Sequence, residues 1–200
     1  MMNVTSDSTA PTAAGQVIGP HARHIRKVAV LGSGVMGSGI ACHFANIGLQ
    51  VLMLDIVPFD LKDEEKDQKS ARNRIVDGAL KAALKSKPAP LYDKPFASRI
   101  RTGNFDDDLE AIVDCDWIIE VVIERLDIKK EVFAKVEQYR KPGTLITSNT
   151  SGIPIHLMLE GRSEDFRRHF CGTHFFNRPR YLRLLEVITQ TTHSTAETEK

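Results

Sequence analysis

The feature that most constrains this chain is a glycine pattern set between two apolar runs. Lys27-Val28-Ala29-Val30-Leu31 stops at glycine, and Gly32-Ser33-Gly34-Val35-Met36-Gly37 follows at once. The next stretch carries Ile40, Phe44 and Ile47 at helical spacing and ends at Gly48. A second apolar run, Gln50-Val51-Leu52-Met53-Leu54, closes on Asp55. Short apolar runs of this kind read as parallel strands buried on both faces. A glycine-rich turn alone is a weak signal. Here it leaves a strand and opens a helix, and that context makes it specific. Strand, turn, helix, strand and acid in this order predict a βαβ unit over residues 27–55.

Each position in the turn has a physical reason. Gly32 permits the tight turn, Gly34 lets a pyrophosphate approach the backbone, and Gly37 lets helix and strand pack closely. Val35 and Met36 fall on the first helical turn. There, unpaired N–H groups and the positive end of the helix dipole favour phosphate. Asp55 is placed to accept hydrogen bonds from the adenosine ribose hydroxyls, and its charge would repel a 2′-phosphate. The expectation is a Rossmann-type dinucleotide site that takes NAD rather than NADP.

The rest of the chain keeps alternating. Strands are expected at 100–103, 117–122, 144–147, 170–176 and 182–188, and helices at 70–86 and 126–139. Shorter helical turns are expected at 109–113 and 155–159. This alternation predicts an α/β fold with a doubly wound, mainly parallel sheet. Residues 58–98 read as a helical excursion after the second strand. Ile75, Ala79, Leu80, Ala83 and Leu84 share one face there, and Pro88, Pro90 and Pro95 then break the pattern. The stretch 85–95 is expected to be flexible. Residues 1–24 read as a disordered tail, and 25–200 as one domain.

Lys and Arg number 27 against 26 Asp and Glu, a net charge of +1. That balance gives no reason to expect nucleic acid or an anionic membrane as a partner. No apolar run approaches the length of a membrane-spanning helix. Residues 1–24 lack the pattern of a signal peptide, so a cytoplasmic location is the default expectation. Cys42, Cys115 and Cys171 are widely spaced with no CxxC pair. They read as small buried hydrophobes in a reducing compartment, and no metal site is expected.

A second constellation lies downstream. An alcohol dehydrogenation needs a base for the hydroxyl proton, and a histidine titrating near neutrality suits it. His174 stands in Gly172-Thr173-His174-Phe175-Phe176-Asn177, and Glu186 follows twelve positions later. If 170–176 and 182–188 pair antiparallel, position 174 falls opposite 186. The carboxylate would then orient the imidazole and stabilise its charged form. A satisfied structural histidine is the plainer alternative. Ser148-Asn149-Thr150-Ser151 closes a buried strand, where ligands of open α/β sheets bind. It reads equally well as a polar loop capping the next helix.

At these motifs the chain resembles the NAD-binding domain of the L-3-hydroxyacyl-CoA dehydrogenases of fatty-acid β-oxidation. GSGVMGSGIA, SNTSGIPI, GTHFFNRP and LLEVI occur in that order within residues 25–190. The insert at 58–98 is more similar to the dehydrogenase part of the large bacterial bifunctional β-oxidation proteins, which also carry an enoyl-CoA hydratase region. The resemblance implies a 3-hydroxyacyl-CoA substrate, with His174 as base and Glu186 as its partner. It implies that Ser151 holds the 3-oxygen and approaches the nicotinamide, with Asn149 and Asn177 nearby. It implies that Glu124 and Lys129, in IERLDIKKE, contact the cofactor. Without the resemblance those two read as a solvated helix start.

Two departures stand out. Arg178 follows Asn177 where the family usually has proline, which here is Pro179. Arg178 and Arg180 are expected either to meet CoA phosphates or to face water. The family also uses a C-terminal helical domain to complete the substrate pocket and make the dimer. None is expected within 25–200, and 194–199 reads as the entry to a further helix. The expectation is a fragment that binds NAD and turns over poorly, from a parent that is homo-oligomeric or multidomain. A related β-hydroxyacid or sugar-acid dehydrogenase fits the HFFN…LLEVI block poorly. A non-catalytic NAD-binding relative is opposed by intact His174, Ser151 and Glu186.

Overall fold

The computed structural model describes residues 23–182 and 184–189. Residues 1–22 of the tail expected at 1–24, and the helix entry expected at 194–199, lie outside these residues. Seven strands form one sheet in the order β3-β2-β1-β4-β5-β6-β7. They are β1 (Lys27–Leu31), β2 (Gln50–Asp55), β3 (Ile100–Asn104), β4 (Trp117–Glu120), β5 (Leu145–Ser148), β6 (Phe170–Phe175) and β7 (Leu185–Ile188). The first six run parallel and β7 is antiparallel to β6. The chain leaves β1 towards β2 and β3, then returns to the other side of β1 at β4. Such a reversal opens a crevice at the carboxyl ends of the strands, where a ligand can sit.

Both faces of the sheet are covered at its centre, which is why β1, β2 and β4 are nearly continuous apolar runs. Val28, Val30, Val51, Met53 and Ile119 pack towards α1 (Val35–Asn46), with Ile40 and Phe44. Ala29, Leu31, Leu52, Ile118 and Ile146 pack on the opposite face towards α4 (Leu126–Tyr139), with Phe133. Cys42 and Cys115 are buried, Cys171 is partly so, and all are free thiols. Burial pushes the Cys42 thiol up to about 11 and that of Cys115 up to about 12.

The excursion is helical as expected but divided. α2 (Lys69–Arg72) and α3 (Arg74–Lys85) meet at Asn73, which leaves helical geometry. The buried Asn73 amide oxygen accepts from Asn104 Nδ2 at 2.7 Å, so a side chain of β3 fixes the break. The buried residue of α3 is Val76, while Leu84 of the expected apolar face is exposed. The stretch 85–95, expected to be flexible, is tethered. Asn46 Nδ2 donates to Pro90 O (2.9 Å), and Tyr92 N–H donates to Asn46 Oδ1 (2.8 Å). Buried Leu91 adds an apolar anchor. A short helix absent from the sequence reading, α5 (Glu164–Arg168), starts at Ser163, whose hydroxyl accepts from Phe166 N–H. No helix among the described residues is long and apolar enough to cross a membrane. Among them no cluster of His, Cys, Asp and Glu is placed to hold a metal ion.

Candidate active site

Two cavities flank the glycine turn. The larger, about 860 Å³, is walled by Gly32, Gly34, Asp55, Val121, Val122 and Ile128. The smaller, about 400 Å³, lies between the start of α1, α3 and the loop after β6, with Val35, Ala83, Asn177 and Pro179 in its wall. Gly34 borders both. A Cβ on Gly37 would lie 1.9 Å from Gly32 O, and one on Gly32 would lie 2.5 Å from Val121 O. Those two glycines are demanded by packing. A Cβ on Gly34 would meet nothing within 4 Å, so its bare face opens onto the cavities. α1 also begins without a side-chain cap, which leaves its first N–H groups to a ligand. The Met36 side chain packs on the core, so this residue offers its backbone alone.

Asp55 closes β2 at the wall of the larger cavity. Its Oδ2 accepts Ser33 N–H (2.7 Å) and the Ser33 hydroxyl, and its Oδ1 accepts Ile56 N–H (2.7 Å). One carboxylate therefore braces the turn and faces the place where a ribose would lie. Ser33, buried beneath the turn, was not singled out from the sequence. Its position between two required glycines is the signal that points to it.

The second constellation forms at the ends of β5, β6 and β7. The register sets His174 opposite Glu186, and His174 Nδ1 lies 2.9 Å from Glu186 Oε2. An ionised carboxylate only accepts, so this contact favours the tautomer in which Nδ1 donates and Nε2 is left as the acceptor. Nε2 lies 3.4 Å from Ser151 Oγ. The Phe176 ring sits edge-on to the imidazole, 4.7 Å between centroids.

Ser151 is held from below by a polar network. Glu124 Oε1 accepts the Thr150 hydroxyl, Ser151 N–H (3.0 Å) and Gly152 N–H (3.1 Å). Lys129 Nζ lies 3.1 Å from Glu124 Oε2 and donates to both oxygens of Glu120 at 2.7 and 2.9 Å. Glu120 also accepts the Ser148 hydroxyl and Val122 N–H. Burial works to raise Glu124, but the donors from Thr150, Gly152 and Lys129 outweigh it and hold the carboxyl at about 2. Burial pushes Glu120 up, against the pull of Lys129.

This arrangement corrects the expectation for Lys129. Its side chain is 0% exposed and enclosed by carboxylates, so it reaches a ligand only through Glu124, which is 43% exposed. A buried ammonium requires such pairing. Asn149 ties β5 to β6, its Oδ1 accepting Phe175 N–H at 2.8 Å beside His174. Asn177 lies away from this network, in the wall of the smaller cavity. Arg178 is exposed, as one of the two expectations had it, and Arg180 is half-buried; both also bind backbone carbonyls of the insert. Arg178 Nη1 donates to Lys87 O (3.1 Å), and Arg180 Nη1 to Ala89 O (2.5 Å) and Leu91 O (2.7 Å).

Residues 27–200 match the family model described as the 3-hydroxyacyl-CoA dehydrogenase NAD-binding domain. The chain belongs to that family. Among its relatives, the Probable 3-hydroxyacyl-CoA dehydrogenase of Bacillus subtilis is 57% identical over 83% of this chain and 22% of the relative. A Deinococcus radiodurans protein of the same name is 50% identical over 82% of this chain and 45% of the relative. The chain thus spans less than half the length of either. The crystal structure of 3-hydroxybutyryl-CoA dehydrogenase from Escherichia coli K12 superposes with a TM-score of 0.59 at 32% identity. It covers 82% of this chain and 32% of that one.

The family is an NAD-binding domain, so the cofactor is NAD, and the open face of Gly34, the uncapped α1 and the placement of Asp55 fit it. Read from the sequence, Thr150 is only part of the Ser148–Ser151 stretch and Glu120 only a strand residue, although both hold named site residues. Glu120 had a signal, a lone charge ending an otherwise apolar strand.

Proposed function

We propose that this chain is the cofactor-binding part of an enzyme that oxidises 3-hydroxyacyl-CoA to 3-oxoacyl-CoA in fatty-acid β-oxidation. The overall reaction would be 3-hydroxyacyl-CoA + NAD⁺ → 3-oxoacyl-CoA + NADH + H⁺. One observation carries this reading. His174 Nδ1 lies 2.9 Å from Glu186 Oε2, and Nε2 faces Ser151 Oγ across 3.4 Å at the strand ends.

A substrate hydroxyl held by Ser151 Oγ would lie within reach of Nε2. His174 takes the hydroxyl proton as general base, and Glu186 stabilises the imidazolium so formed. Bound NAD⁺ supplies the acceptor for the hydride leaving C3. Glu124 keeps Ser151 in place through the backbone of 151 and 152. Asn149 holds the end of β6 beside His174, and Asn177 borders the smaller cavity with Gly34. A C-terminal helical domain, of the kind that the relatives' greater length has room for, would complete the substrate pocket.

His174→Ala in the full-length protein tests the reading. Removal of a general base is expected to lower kcat on 3-hydroxybutyryl-CoA by about 10²–10⁴-fold, with NADH affinity unchanged. Undiminished turnover in that variant would overturn the assignment.

A further inference from the structure

We propose that Arg180 is a positioning residue, clasping the 87–92 segment of the insert to the loop that joins the His174 and Glu186 strands. The proposal rests on the dehydrogenase reading above. Lys87-Pro88-Ala89-Pro90-Leu91 contains two prolines, which have no N–H and keep the stretch out of any sheet. Its carbonyls at 87, 89 and 91 are left to other donors, and three side chains of the β6–β7 loop take them. Arg180 Nη1 binds Ala89 O and Leu91 O at 2.5 and 2.7 Å. Tyr181 OH donates to Ala89 O (2.9 Å), and Arg178 Nη1 to Lys87 O (3.1 Å). The Arg180 guanidinium also lies 4.4 Å from the Tyr92 ring centroid and 5.1 Å from that of Tyr181. Only a planar, delocalised cation combines two carbonyl acceptors with two ring faces in this way.

Both ends of the clasp are firm. On one side, Asn46 at the end of α1 binds Pro90 O and Tyr92 N–H, so the insert segment is fixed to the cofactor-binding helix. On the other side, Tyr181 N–H and Leu182 N–H both donate to Arg178 O, which makes the loop a compact turn. β7 needs this support. It is a four-residue edge strand whose neighbour in the sheet is β6, and all four of its residues are exposed. Glu186 stays on His174 Nδ1 only while β7 keeps its register on β6, and the turn at 178–182 held by Arg180 lies between those two strands in the chain. The insert, remote from the chemistry in sequence, thereby braces the histidine–carboxylate pair.

The test uses the full-length protein with Arg180→Ala, Tyr92→Ala and the double variant. Turnover of 3-hydroxybutyryl-CoA is measured per NADH-binding site, so misfolded molecules do not count. Arg180→Ala should lower kcat per site by about ten- to a hundredfold through misplacement of the base, with NADH affinity unchanged. Tyr92→Ala should give a smaller loss. The double variant should lose no more than Arg180→Ala alone, because both act through one contact. Losses that multiply, or an unchanged kcat per site, would overturn the proposal. Amide hydrogen exchange gives a readout independent of activity. Arg180→Ala should speed exchange at 87–92 and 184–188 and leave 28–55 unchanged. If the unsubstituted protein does not oxidise 3-hydroxyacyl-CoA, the dehydrogenase reading fails. Exchange then decides the clasp alone, and unchanged rates at 87–92 and 184–188 overturn it.

Discussion

Lys129 shows how much of this site rests on charges that never meet solvent. Its ammonium and the Glu120 carboxylate are both 0% exposed, and each is the other's main compensation. Removing one member of such a pair leaves an unpaired buried charge, at a cost of about 3–5 kcal/mol. Lys129→Met should therefore lower the urea midpoint by that amount of stability. Burial already pushes the Glu120 carboxyl up, and loss of Lys129 pushes it further. A group with a raised folded pKa contributes stability at low pH and loses it as pH rises. The deficit of Lys129→Met should accordingly grow as pH rises above the ordinary glutamate value, read by urea titration at each pH. A deficit that shrinks would count against the buried pair. Glu124 works in the opposite sense. Its folded pKa of about 2 means that its ionised form contributes stability above the ordinary glutamate value, lost as pH falls towards 2. At 43% side-chain exposure that contribution is discounted by solvent, so Glu124→Gln should soften the acid limb of stability without abolishing it.

At the scale of elements, the β1–turn–α1 unit separates packing from binding within six residues. Gly37→Ala would push a Cβ to 1.9 Å from Gly32 O and force helix and strand apart. A loss of about 1–3 kcal/mol or more is expected on thermal unfolding, together with loss of NADH binding. Gly34→Ala meets nothing within 4 Å, so its melting temperature should hold. NADH fluorescence titration should still report weaker binding, since the methyl group occupies the approach to the helix N-terminus. Equal effects of the two substitutions on stability would contradict this division. The unit was legible in the sequence because strand, turn, helix and acid are consecutive and each carries its own local signal. The His174–Glu186 pairing was legible for a related reason, a hairpin symmetric about the loop near Arg180. Most of what escaped depends on contacts distant in sequence. The break at Asn73 is set by Asn104. Lys129 is near Glu120 in sequence, but the turn from β4 into α4 that folds it back onto the strand end carries no periodic signal. The roles of Arg178 and Arg180 depend on carbonyls some ninety residues earlier. α5 escaped for want of length, although Ser163 followed by Glu164 and Asp165 is a helix-start signal.

Across the whole molecule, the two functional regions are finished to different degrees. The dinucleotide crevice lies at the reversal of strand order, with the glycine turn, Asp55 and α1 all set by a sheet covered on both faces there. The proposed substrate side lies at the sheet's edge. Leu185 and Val187 share one face of β7 and Ile188 lies on the other, and these three are 39–59% exposed on the strand that carries Glu186. An edge strand exposing apolar side chains on both faces is unusual where nothing packs on it. Cofactor binding and turnover should therefore separate in the 200-residue chain. NADH at about 100 times its dissociation constant should stabilise the chain by about 2.7 kcal/mol, because the ligand binds the folded state alone. The measurement is a rise in melting temperature that scales with the logarithm of NADH concentration. Turnover of 3-hydroxybutyryl-CoA by the same chain should fall about 10²-fold or more below that of the full-length protein, since an open edge leaves the thioester poorly oriented. Equal turnover would show that β7 needs no covering, and absence of the thermal shift would remove the cofactor site itself. A shift without turnover places the division of labour along the boundary between β6 and β7, with the hydride acceptor bound on one side and the substrate positioned from the other.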